Sequence, residues 1–185
     1  LHGKAIQSAG GYSFVSCSDE AIEQGYIRME DYPITDLIFG AEKSVASTKM
    51  QERIADYTRQ GGHLLVSGSY LGSILPASLA EGVLKFKHGG SMWGVTTGQV
   101  SGANTTLTFP TQVNEKTYAV PSPDCLLPMG NAYSSFVYTP GNYGAGIAYK
   151  GTDYRTFVLG FPFESIEGVE QRAWVMKAVL GVFKE

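Results

Sequence analysis

Two short apolar runs with a helical pattern between them constrain this chain more than anything else in it. Asp36-Leu-Ile-Phe39 is almost continuously apolar and ends in Gly40, and His63-Leu-Leu-Val-Ser67 has the same character and ends in Gly68. Runs this short and without alternation suit strands covered on both faces. Between them, from Thr48 to Gln60, the apolar residues Met50, Ile54 and Tyr57 recur at helical spacing, and Gly61-Gly62 follows as a stop. Strand, helix, strand in this order joins parallel strands, and a further helix-compatible stretch from Ser78 to Gly82 extends the alternation. The expected fold is α/β, a three-layer, doubly wound, mainly parallel sheet with helices on both faces.

The flanking regions add detail. Tyr12-Ser-Phe-Val-Ser-Cys17 follows Gly10-Gly11 and reads as a strand with Cys17 buried, after which Ser18 opens a short helix to Glu23. From Leu84 to Tyr149 short runs such as Thr105–Phe109, Ser135–Tyr138 and Ala145–Tyr149 alternate with Gly, Pro and Asn, which predicts an antiparallel β-rich extension in the second half. Arg155–Phe161 predicts another core strand, and Gly168–Phe183 a closing helix with Val169, Ala173, Met176, Leu180 and Phe183 on one face. At 185 residues one domain, 1–185, is expected. Its start at Leu1 suggests a piece of a larger protein.

Charge and cysteine content exclude several classes. Lys and Arg number 14 against 17 Asp and Glu, without a basic cluster, so a nucleic-acid partner is not expected. No apolar stretch approaches the roughly 18 residues of a membrane span. Cys17 and Cys125 show no metal-ligand spacing, so neither a metal nor a cofactor is expected, and their pairing is left open.

Chemistry points to the segment after Ser67. Gly68-Ser-Tyr-Leu-Gly72 has the outline of a nucleophile elbow, in which glycines permit a sharp strand-to-helix turn that thrusts the central residue into a cleft. That residue is Tyr70, a poor nucleophile near neutral pH. Ser69 is an alternative nucleophile, although a serine beside such a turn more often bonds its own backbone. His63 opens the strand leading to the elbow, about 16 Å away at ~3.3 Å per residue, and cannot serve as the base. His88 reads as a solvated loop residue and His2 as part of a frayed terminus. Glu42 and Glu164 each follow a core strand, where they either cap local structure or meet a ligand. Asn104-Thr-Thr106 reads as a polar turn, and the aromatic stretch from Tyr133 to Tyr149 as core packing first and a sugar-stacking surface second.

With the elbow in place, Gly160-Phe-Pro-Phe-Glu-Ser165 before the last helix resembles the class I glutamine amidotransferase-like family, which carries a cysteine at the elbow and a Phe-His-x-Glu-Ser run after a late strand. Phe161, Glu164 and Ser165 match, whereas Tyr70 and Pro162 stand where the cysteine and histidine would be. The strings Asp36–Glu42, Leu65–Gly72 and Val158–Ile166 also resemble a domain type of exported bacterial multidomain proteins labelled xanthan lyase. The resemblance implies a flavodoxin-like module without catalysis, in an exported protein, with neighbouring domains of the same polypeptide as partners and a carbohydrate as a possible ligand. The competing expectation is a hydrolase or carbohydrate-active enzyme using Ser69 or a Glu42/Glu164 carboxylate pair.

Overall fold

A computed structural model of the chain describes residues 1–113, 115 and 119–184. Along it run α1 (His2–Ala9), α2 (Asp19–Glu23), β1 (Ile34–Gly40), α3 (Thr48–Arg59), β2 (His63–Gly68), α4 (Leu71–Ile74) and α5 (Ala77–Ala80). The second half holds β3 (Phe86–Ser91), β4 (Gln99–Gly102), β5 (Thr105–Thr108), β6 (Asp124–Pro128), β7 (Tyr133–Thr139), β8 (Tyr143–Lys150), β9 (Arg155–Leu159) and α6 (Val169–Lys184).

The β1–α3–β2 unit forms for the reasons the sequence suggests. Ser47 Oγ accepts the Met50 N–H at 3.0 Å and caps α3, whose Met50, Ile54 and Tyr57 are buried. Gly61 ends the helix in the left-handed region at φ 91°, a Cβ at Gly62 would run into the Tyr57 ring, and the Tyr57 hydroxyl donates to the Tyr32 carbonyl at 2.9 Å. In β2 the side chains alternate between two apolar clusters. Leu65 joins Phe157, Leu159 and α6, while Leu64 and Val66 join Val158 and α3. Burial on both faces accounts for the unbroken apolar run.

The expected doubly wound, mainly parallel sheet is corrected. The main sheet has seven strands in the order β1-β2-β9-β8-β7-β4-β5, and only β1, β2 and β9 run parallel. The four remaining pairings are antiparallel, so the sheet is mixed, curled into a half-barrel form. A second, two-stranded antiparallel sheet pairs β3 with β6. The physical reason lies after β2. The helices there, α4 and α5, have only four residues each, and the next strand, β3, leaves the main sheet to pair antiparallel with β6. The chain then turns into hairpins such as β4–β5, closed by Ala103 and Asn104 at φ 45° and 66°, the two positive values of a type I′ turn.

Three local expectations change with it. Tyr12–Cys17 forms no strand; Phe14 and Val15 are exposed, and Cys17 is an exposed free thiol rather than a buried one. β1 lies at the sheet edge, leaving Ile38 54% exposed. In α6 the buried face is Val175, Met176, Val179, Leu180 and Phe183, while Val169 faces solvent.

The small sheet packs on the large one at a close backbone approach. A Cβ at Gly144 of β8 would collide with the Leu126 carbonyl of β6. Gly144→Ala should therefore cost about 1–3 kcal/mol through overpacking. A denaturant midpoint identical to that of the parent protein would show that the two sheets do not meet this tightly.

Candidate functional site

The three parallel strands end together, and the polar side chains of interest gather at those carboxyl ends, where ligands of open α/β sheets collect. The elbow after β2 adopts the strained form its glycines predict. Tyr70 sits in the left-handed region at φ 61°, ψ 12°, an uncommon conformation for a residue with a Cβ. Neighbouring backbone holds it there. Ser69 N–H donates to the Gly40 carbonyl at 2.7 Å, and the Tyr70 carbonyl accepts from Ser73 and Ile74 at 2.8 and 3.0 Å. Gly68 lies so close to β1 that its Cβ would stand 2.8 Å from that of Phe39. The half-buried Tyr70 ring packs on the α3-side cluster, with Lys43 Nζ 5.1 Å above its centroid.

Below the elbow lies a polar cluster that sequence reasoning missed. Asp124, at the head of β6 and 1% exposed, accepts the Gly72 N–H through Oδ2 at 2.9 Å. His88 of β3 brings Nε2 to 3.4 Å from Asp124 Oδ1, an ion-pair distance without a hydrogen bond. The His88 ring occupies the space that a side chain at position 72 would need. Burial pushes the Asp124 carboxyl above its ordinary range, and the Gly72 N–H and His88 offset this only in part. Ser91 and Ser122 hydroxyls meet at 2.8 Å beside it, and the Tyr138 hydroxyl donates to the Asp124 and Gly160 carbonyls at 3.1 Å each. His88 is therefore no solvated loop residue. A carboxylate heading the apolar run Cys125-Leu-Leu127 was the one available signal.

On the other side of Gly40 stands a second cluster, built around the histidine assigned to a frayed end. His2, in the first turn of α1, is 8% exposed and lies between two carboxylates. Its Nδ1 is 2.6 Å from Asp36 Oδ2 and its Nε2 3.2 Å from Glu164 Oε2, and its ring packs on Phe163 at 4.5 Å. Burial alone would depress its pKa, but bonds to Asp36 and Glu164 and their charges outweigh that and raise it to about 9. Glu164 thus neither caps the last helix nor lies open to solvent. A Cβ at Gly40, whose φ is 57°, would stand 3.4 Å from Glu164 Oε1, so this residue separates the two clusters.

The other sequence candidates are placed as follows. Ser69 is fully buried, and its Oγ has no hydrogen-bond partner. Glu42 is exposed and turns Oε1 onto the Ser44 and Lys43 N–H groups at 2.7 Å each, which, with the Ser44 hydroxyl, holds its carboxyl below the usual range. His63 stands at the opposite end of β2, where Nδ1 accepts the Arg155 N–H at 3.2 Å. In the aromatic stretch Phe136 and Tyr138 are core residues, while Tyr133 and Tyr143 are exposed. Among the described residues no His, Cys, Asp and Glu group of three or more could hold a metal ion.

No protein-family model matches the sequence, and no curated protein does. Solved structures share the fold. A β-galactosidase from the Antarctic haloarchaeon Halorubrum lacusprofundi superposes with a TM-score of 0.64 at 14% identity over 98% of this chain and 25% of that one. A cold-adapted β-galactosidase from Rahnella sp. R3 gives 0.56 at 12% identity, over 97% of this chain and 26% of its own. The N-terminal domain of mmIFT52 gives 0.62 at 13% identity, covering 94% of this chain and 85% of that domain. The chain therefore spans about a quarter of the length of these β-galactosidases. These likenesses and the mixed sheet correct the expected glutamine amidotransferase-like, flavodoxin-like fold and, with it, the resemblance to the xanthan lyase-labelled domain type. The matched strings were short segments around strand ends, and strand ends of parallel pairs look alike in many sheets.

Proposed function

We propose that this chain is a non-catalytic accessory domain of a carbohydrate-processing polypeptide, serving to dock or space neighbouring domains. The observation that carries the reading is the state of the elbow. Its central residue is a tyrosine packed under Lys43, and the adjacent Ser69 hydroxyl is sealed from solvent without a base. Nucleophilic catalysis needs both an accessible nucleophile and a base within reach. The carboxylate pair offers no better route, since Glu164 is engaged by His2 and Glu42 by its own turn. The β-galactosidase likeness supports a carbohydrate context, with a sugar as the ligand class and the rest of the same polypeptide as partner.

The test is direct. Purified protein should release neither nitrophenol from nitrophenyl β-galactoside or β-mannoside nor ammonia from glutamine above the buffer rate. Turnover abolished by Ser69→Ala or Glu164→Gln would overturn the reading. Ser69→Ala should leave stability unchanged or raise it by up to about 1 kcal/mol, because it removes a buried hydroxyl without a partner.

A further inference from the structure

The outer half of the main sheet is built from sequence without charge. Asp, Glu, Lys and Arg make up 17% of the chain, yet none falls within residues 89–113 or 125–149. Those two stretches hold the whole of β4, β5 and β7, and β5 ends the sheet order. Edge strands ordinarily carry charged side chains that deter pairing with other chains, and a soluble surface is ordinarily about a quarter Lys, Arg, Glu and Asp. A charge-free edge therefore has a reason beyond folding.

Register shows what this edge presents. Val100 of β4 lies opposite Leu107 of β5 and Tyr138 of β7, and all three are fully buried. The residues that alternate with them point away from the core. Among these, Gln99 lies opposite Thr108 of β5, and Ser101 lies between Thr106 of β5 and Val137 of β7. Gln99, Thr106 and Thr108 are exposed. The loop 92–97 runs up to these rows, held because the Thr97 N–H and hydroxyl both donate to the Thr139 carbonyl, at 3.3 and 2.7 Å. Thr139 is itself the β7 partner of Gln99, and the loop carries Trp93, 74% exposed. Indoles are highly buried on average, so one left this open stands out.

The chemistry of the face selects its partner. Nucleic acid and acidic polymers are held through Lys and Arg, and a protein interface has an apolar core. This face has neither, since its rows are hydroxyls and an amide with the single apolar Val137. Hydroxyls and amides both donate and accept, which matches a neutral partner that is itself dense in hydroxyls, and an indole offers an apolar plane to the C–H face of a sugar ring. We infer that the outer face of β7, β4 and β5, with Trp93 beside it, is a docking surface for a neutral polysaccharide chain. The inference rests on the carbohydrate context proposed above and places the ligand at the opposite end of the sheet order from the elbow strand β2.

Native gels cast with galactomannan, glucomannan or β-glucan as neutral probes, and with polygalacturonate as an acidic one, test it on the chain as it stands. At least one neutral polymer should retard the protein, equally at low and high salt because no charge pairs are made, and polygalacturonate should not. Trp93→Ala and the double substitution Gln99→Ala/Thr108→Ala should each raise the Kd about tenfold or more, with an unchanged melting temperature since all three residues are exposed. Glu52→Ala, on the exposed side of α3, should leave the retardation as it was. Migration unaffected by every neutral polymer would overturn the inference. Retardation that the Trp93 and Gln99/Thr108 variants retain would overturn it as well, by putting the glycan elsewhere on the chain, and so would self-association weakened by those variants, which would assign the face to a second copy. Catalysis is judged separately by the nitrophenol and ammonia assays above, so a failure here is distinguishable from a failure of that reading.

Discussion

Asp124→Ala should lower the free energy of unfolding by about 2 kcal/mol, the range for leaving a buried hydrogen-bond donor without its acceptor. The substitution leaves the Gly72 N–H without its acceptor at 2.9 Å, and His88 without the carboxylate facing it. The first turn of α4 would then lose the tie that fixes the elbow to the small sheet. Asp124→Asn should cost far less, about 1 kcal/mol, because its amide oxygen still accepts from Gly72. Burial raises the carboxyl's pKa, so the folded state gains by neutralising this group, and its contribution to stability is lost as pH rises through the folded value. Urea unfolding at pH 7 checks the pair. An asparagine variant as unstable as the alanine one would show that charge, rather than the bond to Gly72, secures the elbow.

Stability should also fall by about 3 kcal/mol between roughly pH 6.5 and 9 as His2 loses its proton. Its pKa is about 9 in the folded chain against 6.5 unfolded, so the protonated form is favoured by folding. The contribution is complete below pH 6.5, declines through the window and is gone above pH 9. His63 acts elsewhere, since burial and then Arg155 depress its pKa and its effect falls below pH 6.5. His2→Ala should remove most of the slope while leaving Asp36 and Glu164 facing each other with no cation between them. Chemical denaturation at pH 6, 7.5 and 9.5 measures both chains. A slope unchanged by the substitution would sink this assignment.

Together the two clusters tie down the carboxyl ends of β1, β2 and β9. Each couples an element outside the main sheet to it, α1 through His2 between two part-buried carboxylates and the small sheet through the buried Asp124.

Local order alone determined several parts of this protein. The spacing of Met50, Ile54 and Tyr57 before Gly61-Gly62 specifies α3, because a helix face and its glycine stop are set by residues within a turn or two of one another. The glycines at 68 and 72 likewise signal the turn that places Tyr70 at positive φ. Strand direction was not legible in this way. β8 and β2 are both nearly continuous apolar runs, yet β9 pairs in parallel with one and antiparallel with the other. An extended segment carries no mark of the direction of its neighbour, which follows from the path of the intervening chain. The same limit hid both clusters. His2 meets Asp36 and Glu164 across 34 and 162 positions, and Gly72 meets Asp124 across 52. Only tertiary packing decided those encounters, because the burial that shifts a titratable group comes from atoms distant in sequence.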